Sequence, residues 1–384
     1  MFKEKGKDVL TDWIFGGKQL ILRMACSAML AFFVVVFFSP WLIRFLIRKK
    51  LGDKPEFYHT LLNAMTKHKS ATPTMGGIVI VLAIVLSTFL FADIKSMYIR
   101  MALMVTIGLG LLGVVDDILK IRAAAKFAQT DGKEHPSREG LRMVEKLLFQ
   151  IALAVLLAIF IYAHGAASGY RNAQGQIVNA AHSFYLPFVS EPIALTPWVY
   201  VVIAVVVMVG SSNAVNLADG MDGLAAGCLV FATIVFLIIS WVVGNYTWAE
   251  FLHLPFVPQS AELAVVCAAM IGSCVGFLWY NSLPAQVFMG DTGSLPLGGL
   301  IGYIAVVTRH ELTLLIAGGV FVMEAVSVLM QVLHYKATGR RIWLCTPIHH
   351  HFHLLGWAES KVVVRFWLIS ALCAAAALAS LKLR

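Results

Sequence analysis

Long apolar runs alternate with short polar loops along nearly the whole chain. Ten of these runs approach the roughly 20 residues that a helix needs to cross a bilayer. They lie at about 20–47, 75–92, 98–119, 143–164, 196–215, 224–243, 261–280, 295–307, 312–335 and 362–381. This pattern predicts an all-α integral membrane protein with about ten transmembrane helices, folded as a single polytopic domain over 1–384. The first run ends among Arg44 and Arg48 and is longer than the roughly 7–15 residues of a cleavable secretory core. The eighth is short and rich in glycine, so it is expected to be tilted, broken or partly re-entrant. The long connection 165–195 reads as turns with short strand-like pieces, a small external hairpin without chemistry.

Composition supports this reading. The chain is 59% hydrophobic and only 13% charged. That is about half the charge of an ordinary soluble domain, too little to cover a water-soluble globule. The formal net charge of +9 is concentrated beside apolar runs. Lys and Arg crowd the loops 48–74, 120–142 and 336–361, while 93–97, 165–195, 244–260 and 308–311 hold almost none. By the positive-inside rule the basic loops face the cytoplasm, and ten crossings place both termini in the periplasm. The positive charge is read as topology and as attraction for anionic substrate or headgroups; no nucleic-acid motif is visible. Six cysteines without a paired spacing read as packing residues.

The polar interruptions gather on that basic side, in stretches 48–74, 116–142, 213–223, 281–294 and 336–361. Asp116 and Asp117 repel one another unless a cation or proton intervenes, and Lys120 lies one turn on. They fit either a metal–phosphate site or an acid/base pair, against the plainer reading of a solvated helix end. Asp219 and Asp222, separated by Gly220 and Met221, share a face if the turn is helical, and Asn213 and Asn216 add amides that need partners near a span end. In Phe288-Met-Gly-Asp291-Thr-Gly-Ser294, an aspartate between glycines at a helix start suits Mg²⁺ and phosphate, and Phe288 offers a ring for a base. His349, His350 and His351 lack zinc spacing and read as hydrogen-bonding partners of a phosphate or nucleotide. Lys69, ahead of Thr72-Pro-Thr-Met-Gly-Gly77, is a candidate phosphate cation. Carboxylates for Mg²⁺ together with cations for oxyanions are what phosphoryl transfer requires.

These motifs, in this order over residues 69–352, resemble those of the polyprenyl-phosphate N-acetylhexosamine-1-phosphate transferases, most closely the phospho-N-acetylmuramoyl-pentapeptide transferase branch. Two departures are Ala71, where the family usually has glycine, and a long, basic stretch 121–142. The resemblance implies a bacterial cytoplasmic-membrane enzyme with a cytoplasmic site, in which undecaprenyl phosphate attacks UDP-MurNAc-pentapeptide, UMP leaves and lipid I remains in the bilayer. It implies Mg²⁺ at Asp291, with Asp117 a candidate second ligand, and catalytic roles for Asp116, Asp117 and Asp291. It also implies a nucleotide-side pocket of Lys69, Asn216, Asp219, Gly220, Met221, Asp222, Asn281 and Phe288. A far wall would comprise Gln331 and His349 to His351, with phosphate contacts from Lys120 and Lys146. A homodimer is the family expectation. Two rivals stand: a sister enzyme using UDP-N-acetylglucosamine, which the histidine triplet disfavours, and a secondary transporter, which would keep its ionisable groups near the bilayer midplane.

Overall fold

The computed structural model describes residues 19–48, 72–129, 140–165, 169–171, 177–179, 182–186 and 192–381. Its helices are α1 Leu20–Arg48, α2 Gly77–Phe91, α3 Met97–Gln129, α4 Met143–His164, α5 Pro197–Ala218, α6 Leu224–Val243 and α7 Tyr246–Phe251. They continue with α8 Leu263–Asn281, α9 Asp291–Thr308, α10 Glu311–Ala317, α11 Gly319–Thr338, α12 Ile348–Leu354 and α13 Glu359–Ser380. Among the described residues, eight helices are long and apolar enough to cross a membrane: α1, α3, α4, α5, α6, α8 with its preceding turn, α11 and α13. Helix α2 is apolar but has 15 residues. The 165–195 connection holds two antiparallel pairs, β1 Gly169–Arg171 with β2 Ile177–Asn179, and β3 Ser183–Phe184 with β4 Ile193–Ala194.

Three expectations change. The run at 98–119 continues as helix to Gln129, so Asp116 and Asp117 lie inside α3 and not at its end. Hydropathy marks where a helix leaves lipid, not where its backbone bonding stops. The eighth run is one continuous helix, α9, whose 18 residues are all buried. Its small residues serve packing within protein instead of a break. The ninth run divides at Gly318 into α10 and α11.

In lipid, helices associate through close packing of small residues and through satisfied polar groups. On α8, Gly272 and Gly276, four apart, face the backbone of Ala28 and Phe32 on α1. On α9, Gly298 and Gly302 repeat the device against Ser211, Ser212 and Met208 of α5. Pro40 within α1 removes an N–H, which frees the carbonyl four residues back. The Tyr280 hydroxyl of α8 donates to that Val36 carbonyl at 2.9 Å. Buried Arg23 donates to both Glu262 oxygens, at 2.8 and 2.7 Å, tying α1 to the turn before α8.

Candidate active site

Helix segments from distant parts of the chain converge in one polar cluster. Asp116 and Asp117 come from α3, Lys146 from the first turn of α4, Asn216 from the last turn of α5, and Asp291 opens α9. The Thr72–Gly77 motif docks by backbone pairing: Phe288 N–H donates to Pro73 at 2.8 Å, Gly76 N–H to Phe288 at 2.8 Å, and Gly77 N–H to Met289 at 2.9 Å. Gly77 lies so close to Gly293 that a side chain at Gly77 would overlap the backbone of α9. Gly290 has φ 73°, the left-handed region that favours glycine, and this turn aims Asp291 at α3.

The carboxylates are buried and heavily engaged. Lys146 Nζ lies 2.6 Å from Asp116 Oδ2 and 2.7 Å from Asp291 Oδ2. Lys120 Nζ lies 2.9 and 3.3 Å from the same two oxygens. Leu141 N–H donates to Asp116 Oδ1 at 2.8 Å. Asp117 caps α9 from outside: it accepts from Thr292 N–H at 3.0 Å, the Thr292 hydroxyl at 2.6 Å, and Asp291 N–H at 3.3 Å. The amides expected to face phosphate at this helix start therefore bind a carboxylate. Asn216 Nδ2 donates to Asp291 at 2.8 Å and to the Ser294 hydroxyl at 2.9 Å. Burial, and then the charges of Asp291 and Asp117, hold the Asp219 carboxyl well above its ordinary range.

Asp116, Asp117 and Asp291 each offer an oxygen within 4.8 Å of the other two. These three carboxylates face two ammonium groups. A buried set of hard oxygens with surplus negative charge can hold a divalent cation.

Other sequence-predicted residues are engaged with the protein itself. Asp222 accepts from Ala285 N–H at 2.9 Å. Asn281 accepts from Gly223 N–H at 3.0 Å and donates to Val287 at 2.9 Å. Asn213 donates to Gln150 and Val209, each at 2.8 Å. Gln331 accepts from Ile342 and Trp343 N–H at 2.9 and 3.1 Å and donates to the Trp343 carbonyl at 3.0 Å. Met221 is buried and Phe288 half-buried. Gly220 is exposed, and a Cβ there would meet His349 Nε2. The space beside Gly220 is occupied by the rings of His349 and His350. His351 Nδ1 accepts from Leu344 N–H at 3.3 Å. Lys69 lies outside the described residues. Thr292, read only as part of its motif, donates to Asp117, and Glu324, a lone acid in the apolar stretch of α11, belongs to none of the sequence motifs.

A sequence profile of Glycosyl transferase family 4 matches residues 99–309, which include nearly all of α3, all of α5 and α8, and Asp291. The first signature of phospho-N-acetylmuramoyl-pentapeptide-transferase matches residues 69–81. A curated protein of that name from Desulfotalea psychrophila is 42% identical over 96% of this chain and 95% of its own length. The chain belongs to the phospho-N-acetylmuramoyl-pentapeptide-transferase family. Relatives of the same name from Caulobacter sp. strain K31 and Rickettsia felis are 40% and 43% identical, covering 98% and 90% of the chain and 99% and 89% of their own lengths. This transferase is thus a multi-span membrane enzyme of bacterial peptidoglycan synthesis, and the clustered acids lie in the part that the family profile covers.

Proposed function

We propose that the enzyme transfers phospho-MurNAc-pentapeptide from UDP-MurNAc-pentapeptide to undecaprenyl phosphate, forming lipid I and releasing UMP, at a site on the cytoplasmic face of the inner membrane. The observation that carries this reading is the meeting of Asp116, Asp117 and Asp291 within 4.8 Å beside two lysines. The topology adopted is ten crossings, with α2 and α9 completing the eight longer helices and both termini periplasmic. The site then falls on the side of the basic loops.

Asp116, Asp117 and Asp291 would hold Mg²⁺; when bound, it supplies neutralising charge for a diphosphate. Lys120 and Lys146 lie on Asp116 and Asp291, where they can move onto phosphate oxygens that arrive. Two anions must meet in this reaction, so neutralisation is the main electrostatic task. The lipid phosphate has a second pKa near 6 and is largely dianionic at neutral pH, so it attacks with little help from a base. Both α3 carboxylates are already bound by several donors, which lowers their nucleophilicity and favours direct attack over an aspartyl-phosphate intermediate. An apolar cavity of about 490 Å³ between α5, α10 and α11 suits the polyprenyl tail. Its lining includes Val206, Gly210, Ala214 and Phe321 and reaches Val215, next to Asn216.

Purified enzyme given UDP-MurNAc-pentapeptide is expected to release UMP only when polyprenyl phosphate and Mg²⁺ are both present. A burst of UMP without lipid, with a trapped adduct on the enzyme, would exclude direct attack.

A further inference from the structure

Helix α4 packs on α5 and α3 with one side only. Its other side is open, with Met143, Leu148, Leu156 and Ile159 exposed, and its buried residues are Gln150, Ala154, Leu157, Ala158 and Ile161. Gln150 is the one polar side chain among those five. In a bilayer, lipid tails pack against an apolar helix about as well as protein does, so polar contacts and small residues fix the register of such a helix. Lys146 stands one turn before Gln150 on the same face. Its Nζ lies between Asp116 and Asp291, at 2.6 and 2.7 Å. Slipping α4 by one residue would carry Lys146 about 1.5 Å along the axis and about 100° around it, away from the pair.

Gln150 is engaged by α5. Its Oε1 accepts from Asn213 Nδ2 at 2.8 Å, and its Nε2 donates to the Ser212 hydroxyl at a longer 3.4 Å. The Ser212 hydroxyl donates in turn to the Leu295 carbonyl of α9 at 2.9 Å. One turn further along α5, Asn216 donates to Asp291. The helices that carry Lys146, Asn216 and Asp291 are thus tied to one another one turn away from those three residues.

We infer that Gln150 is a positioning residue: it fixes the register of α4 on α5 and so holds Lys146 over the Asp116–Asp291 pair. It touches no substrate and acts only through the lysine. An amide suits the position because it both donates and accepts, so one side chain engages Ser212 and Asn213 together. A carboxylate there would sit one turn from Lys146 and draw the ammonium away from Asp291. The inference rests on Lys146 being the phosphate contact assigned above.

The test has two readouts. Gln150→Met keeps the size and helix propensity of the side chain and removes the amide. Its kcat is expected to fall about tenfold, and in a Lys146→Met background the same change should cost nothing more. The second readout needs no turnover: acylation of Lys146 by an amine-reactive reagent, followed by mass spectrometry on substrate-free protein. Lys146 should react about fivefold faster in Gln150→Met than in wild type, while exposed Lys336 reacts equally in both. An equal loss of kcat with and without Lys146, or a Lys146 acylated no faster than in wild type, overturns the inference. If Gln150→Met does not purify as folded protein, Asn213→Ala removes the shorter contact from the α5 side and is held to the same two outcomes. A wild type that releases no UMP would instead defeat the proposed reaction, and the acylation readout would still judge the role of Gln150.

Discussion

Each of the three clustered aspartates performs a different local task. Asp116 gathers Lys120 and Lys146, Asp117 caps α9, and Asp291 is oriented by Asn216. Replacing any one by asparagine keeps the shape and removes a charge. We expect Asp116→Asn, Asp117→Asn and Asp291→Asn each to lower kcat by about 100-fold or more while the proteins still elute as folded species in detergent. Near-normal turnover in all three would remove the site from this position. Asn216→Ala deletes the donor that bridges Asp291 and Ser294. A smaller fall, about tenfold in kcat, is expected, because Lys146 still holds the other Asp291 oxygen. The acids, lysines and histidines were legible in the sequence because charged residues beside apolar runs demand an explanation. The direction of each side chain was not. Asn281 and Gln331 look like ligands in a motif, yet here they tie neighbouring backbone. Glu324 was visible as an acid in an apolar stretch and was overlooked because it belongs to no polar motif.

At the scale of elements, α9 is held by near-contact of backbones. Gly77 meets Gly293, and a Cβ on Gly113 of α3 would overlap the Asp291 carbonyl. Overpacking at such a point costs about 1–3 kcal/mol. Gly77→Ala and Gly113→Ala should therefore lower the unfolding temperature in detergent and depress activity together, whereas Gly339→Ala should leave activity unchanged. Gly339 has open space around it, although its φ of 68° adds local strain. Hydropathy located nearly every helix, since length and apolarity are what a bilayer demands. It misjudged α3 and α11 for different reasons. Lys120 and Lys146 neutralise Asp116 within a continuing helix, and the split at Gly318 lies within an uninterrupted apolar run.

For the whole molecule, the proposed orientation makes an outcome that a native residue can report. Cys345 is half-exposed in the connection between α11 and α12, while Cys228, Cys267 and Cys274 are buried. A membrane-impermeant maleimide is expected to label Cys345 in inverted vesicles and not in intact spheroplasts, with Cys345→Ser as the control; the reverse pattern would turn the enzyme over in the membrane. The burial of α9 has a consequence for biogenesis. Every residue from Asp291 to Thr308 is enclosed by neighbouring helices, and α9 is absent from the helices apolar enough to cross a bilayer by composition. A nascent segment of this kind is poorly retained by lipid alone and settles when earlier helices offer it a slot. Asp291 rides on its first residue, so the cluster closes only as the bundle does, and a truncated or stalled chain carries Asp116 and Asp117 without their third member.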